Sequence, residues 1–427
     1  MLDIKFIQEN QEIVRQNIKN RSLEVDLDRL LSLAEEKNGI LQQVEKFRAE
    51  RNQKSKSKPS EEEIQAIRKM GEELSVLEND LKTKSDELES LLMKIPNIVH
   101  ESVPVGKDDT ENKVIKTWGE PTKFSFTPKE HWELGEKLGV IDTAKAGEVS
   151  GSRFAYIKGR LAILEFALVQ FVFATLTDEK VLKQIIDNNK LDVSSKPFTP
   201  VIPPVFIKPE VMQKMGRLEP KEERYHIPSD DQYLVGSAEH TLGPMHMNEI
   251  IKSSELPVRY IGFSTAFRRE AGSYGKDTKG IFRLHQFDKM EMETFCLPEN
   301  SIAEQDFIMA IQEYLMQSLG IPYRLVLKCT GDMGLPDFRE VDVEAWMPGQ
   351  GKYRETHTSD LMTDFQSRRL NIRYKTENGK TEFVHMNDAT ALAMSRAPVA
   401  IMENYQQEDG HISVPEVLRK YTGFDLI

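Results

Sequence analysis

The residues best equipped for chemistry sit in one stretch, Pro257–Phe295, reading PVRYIGFSTAFRREAGSYGKDTKGIFRLHQFDKMEMETF. Apolar and β-branched residues over Tyr260–Phe267 predict a strand, the glycine-bearing run Ala271–Gly280 a loop, and the alternation over Ile281–Phe295 a second strand. Such a hairpin holds Arg268 and Glu270 near the end of its first strand, with Arg283, His285, Phe287 and Glu291 on the second. Residues two apart share one face of a strand, so Arg283, His285 and Phe287 can address one ligand, with Glu291 further along. Arginine takes phosphates, an aromatic ring stacks on a base, and a carboxylate accepts an ammonium. The set suits a nucleotide beside a cationic group. A solvated hairpin with ordinary surface charges has the same spacing, so spacing alone leaves both readings open.

The chain that must position this stretch has 427 residues, 39% of them hydrophobic, enough for a large core and two domains. Its two cysteines, Cys296 and Cys329, form no CxxC pattern and give no zinc or disulfide signal, as suits a reducing compartment. The N-terminus MLDIKFIQEN lacks an apolar signal core. The most apolar run, Leu161–Leu176, is short and interrupted by Glu165 and Gln170, so it reads as a buried helix rather than a membrane span. A cytoplasmic protein with no membrane partner is expected. The formal net charge of −12 excludes a protein that coats nucleic acid with its whole surface. A polyanion partner must meet a local basic patch.

Such a patch lies in the first domain. Ile67, Met70, Leu74, Leu77, Leu81, Lys84, Leu88, Leu91 and Ile95 recur at spacings of three and four, a heptad seam that only Lys84 breaks. A weaker seam runs through Leu27, Leu30, Ala34, Leu41 and Val44. Between them, Pro59 and Ser60 start the second helix, and Ser60 with Glu63 fits a capping box. Two antiparallel helices of about 30 residues each make an arm of roughly 45 Å. Its tip carries Lys46, Arg48, Arg51, Lys54, Lys56 and Lys58 against one acid, Glu50. A scaffold with solvated charges is the plain reading of a coiled coil; a strongly basic tip on an acidic protein favours phosphate-backbone contact.

The expected division is residues 1–103 for the helical arm domain, 104–123 for a linker and 124–427 for a second domain. In the latter, Phe126–Leu138 and Leu161–Leu176 look helical, and Tyr233–Val235 and Arg339–Trp346 look like strands. Leu370–Tyr374 and Thr381–His385 alternate around Asn378-Gly379, a type I′ hairpin signal. Hairpin-joined strands with helices outside indicate an antiparallel sheet and an α+β fold. No GxGxxG follows a first strand and no GxxxxGK[ST] occurs, so a Rossmann or P-loop site is unsupported.

FRREAGS followed by RLHQFDKMEM resembles the second signature motif of class II aminoacyl-tRNA synthetases, in its seryl-tRNA synthetase form. Ser237-Ala238-Glu239 stands where that family usually has TAE, a block contacting the amino acid. YRETHTSDLMTDFQSRR resembles the block that usually reads ExSS before D-F-Q-x-R-R, with His357 and Thr358 in place of serines. MNDATALAMSRAPVAIMENYQ resembles the third motif, with Met394 and Ser395 where glycines are frequent before Arg396. The helix at Leu161–Leu176 and the following FTPVIPPVFIKPE match the first motif weakly, with Pro203 or Pro204 as its proline. The resemblance covers essentially the whole chain, arm included.

It implies an antiparallel class II catalytic domain with an N-terminal antiparallel coiled-coil arm. It also implies a serine–tRNA ligase that forms seryl-adenylate from L-serine and ATP, then transfers serine to tRNA(Ser), and to tRNA(Sec) where that exists. Serine would meet Ser237, Ala238, Glu239, Arg268, Glu291 and Thr390. ATP would meet Arg268, Arg269, Glu270, Arg283, Phe287, Glu355, Thr356, His357, Thr358 and Arg396, with Arg396 over the adenine face opposite Phe287. Glu355 and Thr358 would hold Mg2+, a hard cation that prefers oxygen. Arg268, Glu270 and Arg396 would be catalytic, the basic tip would grip tRNA, and the first motif would build a homodimer. Two rival readings stand beside this one. A ligase that loads an amino acid on a carrier protein should lack the tRNA-gripping arm, and a silent paralogue should not keep Arg268, Glu270, Glu291, Glu355 and Arg396 together.

Overall fold

The computed structural model describes residues 1–54, 61–271, 277 and 279–427. They fall into two compact units, Met1–Ile98 and Val99–Ile427. In the first unit, helix α1 (Leu27–Lys54) packs along helix α2 (Glu61–Leu92). Leu27, Leu30, Leu33, Ala34 and Val44 of α1 are buried, as are Leu74, Leu88 and Leu92 of α2 and Ile95 beyond it. The 3.5-residue repeat keeps this stripe facing its partner. Lys84, the break in the seam, has a charge partner: its Nζ lies 2.6 Å from Glu36. Glu36 also meets Arg29 at 3.1 Å, and Arg29 reaches Glu87 at 2.8 Å. A cation tolerates the seam because α1 and α2 build this chain of pairs around it. The capping box at Ser60–Glu63 lies outside the described residues.

The second unit is built on an eight-stranded sheet. In chain order its strands are β1 (Lys113–Trp118), β2 (Thr199–Val201), β3 (Val258–Phe267), β4 (Gln286–Cys296), β5 (Tyr323–Leu327), β6 (Arg339–Met347), β7 (Lys352–Thr363) and β8 (His385–Ala393). Their spatial order is β1-β5-β6-β7-β8-β4-β3-β2, and only the β2–β3 edge pair is parallel. Helix α3 (Gly159–Leu176) is apolar nearly all round and buries Leu161, Leu164, Leu168, Val172 and Leu176 in the core. It is the one helix among the described residues long and apolar enough to cross a membrane, and it packs instead against the C-terminal helix and the sheet. Helix α4 (Pro209–Met215) ends at Gly216, whose φ of +75° suits glycine, and helix α6 (Ala397–Asn404) follows β8. Between them in sequence, helix α5 (Ser301–Ser318) crosses the back of β7 and β8. From α5, the buried Gln312 amide donates to the carbonyls of both Thr358 and Thr390, which locks β7 to β8.

Four expectations need correction. Residues 104–123 are no plain linker, because Lys113–Trp118 pairs with Tyr323–Leu327 as the edge of the sheet. The second hairpin strand starts at Gln286, not Ile281, and Ile281–His285 are irregular. The helix in Phe126–Leu138 begins only at His131, after Glu130 and Glu133 cap it reciprocally. The turn at Asn378-Gly379 has a positive φ at Gly379 alone, whereas a type I′ turn needs two. There the Thr376–Lys380 loop spans five residues, with the Thr376 N–H donating to the Lys380 carbonyl.

Candidate active site

The β3–β4 pair runs in strict register, Gln286 opposite Phe267 through Phe295 opposite Val258. Side chains two apart on β4 therefore share a face, about 6.7 Å per step. From the strand's start inward that face carries Phe287, Lys289, Glu291 and Glu293. Phe287 and Lys289 line a cleft of about 510 Å³, and Glu291 and Glu293 are buried below it, 1% and 0% exposed. The sequence alternation held this order, and Lys289 was the residue it offered that reasoning from the motif passed over.

The rest of the cleft comes from the ends of neighbouring strands. Arg268 and Glu270 follow β3; Phe282, Arg283 and Leu284 precede β4; Glu355, Thr356 and Thr358 lie on β7; Thr390, Ala393, Ser395 and Arg396 lie on and after β8. Thr390 sits directly opposite Glu291 across the β4–β8 ladder. Arg268 donates through Nε to the Gly236 carbonyl at 3.0 Å, and its guanidinium carbon lies 5.5 Å from the Phe287 ring centre. Glu270 adopts φ +55° and pairs with Arg283. That left-handed backbone turns the glutamate back toward the cleft.

A bulge between β6 and β7 decides which residues of the ETHT block face the cleft. Glu344 opposes Glu355 while Val343 opposes His357, so Thr356 is an extra residue and the alternation shifts by one. Glu355, Thr356 and Thr358 reach the cleft; His357 turns into the core, 1% exposed, with Nδ1 2.8 Å from the Thr356 hydroxyl. His357 is thus removed from the set expected around ATP. Burial drives its pKa down to about 3, so the ring is neutral at pH 7.

Arg269 is also turned away, its guanidinium 5.8 Å from the Tyr225 ring and outside the cleft lining. His285 does not join Arg283 and Phe287: it lies before the strand, with Nδ1 2.9 Å from the Arg268 carbonyl and its ring against Phe154. Ala238 is fully buried and does not line the cleft. The Arg396 guanidinium lies 5.1 Å from the ring centre of Phe282 rather than facing Phe287 directly. Phe282 carried no signal, because its irregular segment has no period.

Charge in the cleft is arranged in pairs. Arg396 donates to the Glu355 carboxylate at 2.7 Å and to its carbonyl at 3.0 Å. Burial would raise Glu355, but Arg396 overrides it and holds the carboxyl down at about 2, although 47% of the side chain opens to the cleft. Deeper, Lys289 Nζ lies 2.5 Å from Glu291 and donates to the Ser237 hydroxyl at 3.2 Å. That hydroxyl donates to Glu291, also at 3.2 Å. Burial pushes Glu291 up to about 7 against the pull of Lys289. Glu239, at the start of a short helix, is 2.8 Å from Arg217 Nε; burial would raise it, but Arg217 with the neighbouring His240, Lys289 and Arg268 together hold it down at about 2.

A divalent metal fits one corner. Glu355 offers an open carboxylate and Thr358 a hydroxyl, and Asp342, opposite Thr358, has a buried Oδ1 with no hydrogen-bond partner among the described residues. All are hard oxygen donors, the type magnesium takes.

On the arm, Lys46 and Arg48 are exposed, and Arg48 pairs with Glu78 at 2.7 Å. The Lys54 side chain, Lys56 and Lys58 lie outside the described residues.

Comparisons with known proteins point to one family. The family model of the seryl-tRNA synthetase N-terminal domain matches residues 1–99, and that of the class II tRNA synthetase core domain (G, H, P, S and T) matches residues 224–405. A serine–tRNA ligase of Thermodesulfovibrio yellowstonii is 40% identical over 441 residues, covering 100% of both chains. The crystal structure of seryl-tRNA synthetase from Pyrococcus horikoshii complexed with ATP superposes with a TM-score of 0.89 at 40% identity, covering 100% of this chain and 99% of the other. A cytoplasmic serine–tRNA ligase from Naegleria fowleri in complex with AMP gives 0.85 at 31% identity, over 100% and 98%. With its arm, its antiparallel catalytic sheet and full-length identity of this order, the chain belongs to the seryl-tRNA synthetase family.

Proposed function

We propose how this chain divides the serine–tRNA ligase reaction among its residues. The observation that carries the reading is the single face of β4, on which Phe287, Lys289 and Glu291 descend in order with Thr390 opposite the last. Phe287 stacks on adenine at the mouth, with Arg268, Arg283 and Arg396 along the phosphates. Lys289 stands where the α-phosphate and the serine carboxylate meet. Glu291 and Thr390 take the serine hydroxyl, and Glu239 takes the ammonium, a charge-assisted contact no neutral group replaces.

A serine carboxylate oxygen attacks the α-phosphorus, the bond to the bridging oxygen breaks, and pyrophosphate leaves with its electron pair. The 3′-terminal ribose hydroxyl of tRNA then attacks the acyl carbon, and AMP departs. No protein nucleophile is needed. Arg268, Lys289 and Arg396 are fixed before reaction, Arg268 by the Gly236 carbonyl and Arg396 by Glu355, so they stabilise developing charge without reorganising. Glu270, fixed by Arg283, orients the adenosine or the incoming tRNA end. Glu355 and Thr358 would hold Mg2+, which when bound offsets phosphate charge. The basic tip of the arm grips tRNA(Ser), and tRNA(Sec) where the host has one.

The reading extends to assembly. Ile163 and Phe166 of α3 and Ile202 beside the sheet-edge strand β2 are 46%, 62% and 84% exposed, large apolar side chains that a second copy would cover. We place the resulting homodimer in the cytoplasm, where buried free thiols such as Cys296 and Cys329 stay reduced. Sedimentation should give twice the 49.0 kDa of the chain, and Phe166→Asp together with Ile202→Asp should return it to a monomer. A mass of one chain for the parent would sink the dimer.

The deciding experiment is ATP–pyrophosphate exchange across the amino acids. Serine alone should support it. Thr390→Ala should weaken serine activation by about 1–3 kcal/mol, the cost of a buried polar group left unpaired. ATP binding should hardly change, and discrimination against alanine should narrow. Unchanged discrimination would remove Thr390 from the hydroxyl contact.

A further inference from the structure

Beneath the serine site lies a row of acids that the reaction does not use. Glu293 on β4 opposes Asp388 on β8, Asp388 opposes Asp360 on β7, and Asp360 opposes Glu340 on β6. Residues directly opposite in a ladder share a face, so four carboxylates cross four adjacent strands side by side. None is more than 6% exposed. Into this row, from the loop after α4, comes the guanidinium of Arg217. It donates through Nη2 to Asp360 at 2.9 Å and to Asp388 at 3.4 Å. Its Nε lies 2.8 Å from Glu239 Oε1, an ion pair out of line for a hydrogen bond, and Nη2 is 3.8 Å from Asp337. One largely covered arginine, its side chain 15% exposed, thus ties the proposed ammonium contact to two strands of the sheet floor.

We propose that Arg217 is a positioning residue for serine: it anchors the Glu239 carboxylate and keeps it ionised for the substrate ammonium. The inference rests on the reading of Glu239 given above. A carboxylate buried as deeply as Glu239 would otherwise take up a proton. Its neighbours divide unequally. Arg217, His240 at 3.7 Å, Lys289, Arg268 and Arg224 attract it, but burial drives His240 well below its ordinary pKa and so leaves it neutral. Glu291 and Asp388 have oxygens within 4.8 Å of the Glu239 carboxylate, and Glu293 and Asp360 feel its charge as well. Among the described residues, the Arg217 charge alone touches Glu239 and the acids beyond it together. A flexible lysine could supply the charge but not the fork that reaches strands β7 and β8 at once.

The test is exchange kinetics from about pH 5.5 to 8.5 on the full-length enzyme, with serine and ATP varied separately. Arg217→Met should raise the serine KM on the order of 10- to 100-fold, as loss of one partner of a buried pair does. The ATP KM should move less than about threefold. In that variant Glu239 loses its main attraction and its pKa rises. Serine affinity is then lost as pH falls through that raised pKa, a limb added to the one that Glu291, pushed up to about 7, gives the parent and the variant alike, since in the parent Glu239 stays ionised throughout. Arg217→Lys should recover part of the affinity.

A serine KM that rises together with the ATP KM, or a rise that is flat with pH, would overturn the proposal. If Arg217→Met fails to give a native circular-dichroism spectrum, Arg217→Lys carries the same test through its serine-only effect. Glu239→Gln separates the two levels of inference. An unchanged serine KM there sinks the ammonium reading itself; a raised one beside a normal Arg217→Met enzyme sinks Arg217 alone.

Discussion

Glu355→Gln should lower pyrophosphate exchange by on the order of 10²–10³-fold at every magnesium concentration, the scale of losing one preorganised electrostatic contact. The structure gives two reasons. Glutamine keeps the shape but not the negative charge, so the buried Arg396 loses the partner that holds it at 2.7 Å. The same change takes away the one open carboxylate among the hard oxygen donors of that corner. Raising magnesium cannot repair either loss. His357→Ser, two residues away, should act quite differently. The bulge at Thr356 turns His357 into the core, where it is neutral and out of reach of the cleft. Serine there leaves a void and unpaired polar atoms, at about 1–3 kcal/mol of stability. Activity per folded enzyme should stay near the parent value, with no new pH limb near the histidine range around 6.5. Tenfold loss in His357→Ser with an unchanged melting temperature, relieved by zinc, would give the metal site to histidine and take it from Glu355.

How the ETHT block reads in the sequence shows where a linear pattern stops being informative. Period-two alternation assigns alternate residues to a face, and it holds along β4, where Phe287, Lys289, Glu291 and Glu293 follow one another without a slip. It fails in β7 because a single extra residue reverses every assignment beyond it, and no feature of Glu355–Thr358 announces that residue. The first motif gave α3 as a helix from Leu161 onward because it is apolar on every side. It gave no hint that Lys113–Trp118 would leave the supposed linker to pair at the far edge of the sheet. That strand is almost wholly exposed, so its side chains carry no buried stripe to read. Arg217 is the sharpest case. It follows a short helix with no motif of its own, and its role exists only because Asp360, Asp388 and Glu239 arrive from three distant segments. Long-range charge convergence leaves no local trace in a single chain.

The arm should be separable from the chemistry, and the last prediction measures it. Replacing Lys46, Arg48, Arg51, Lys54, Lys56 and Lys58 together by glutamine should reduce kcat/KM for tRNA charging by on the order of 10²-fold or more, since each lost phosphate contact forfeits released counterions. Glutamine is a good helix former, which suits Lys46, Arg48, Arg51 and Lys54 within α1, so the arm itself should persist. Serine-dependent pyrophosphate exchange should stay within about twofold of the parent. The reason lies in the packing. Met1–Ile98 has its own apolar core, built from Ile7, Val14, Ile18, Leu27, Leu30, Leu33 and Ile95. Arg48 has a partner in Glu78, so part of the effect of its loss falls on helix pairing. The parent's tRNA affinity should fall steeply between about 50 and 200 mM salt, and the substituted arm should flatten that slope. On a chain of net charge −12, a polyanion partner has to be met by a local basic patch of this kind. Equal losses of exchange and charging would show that the tip supports the catalytic fold. An unaltered salt slope would show that tRNA is held elsewhere.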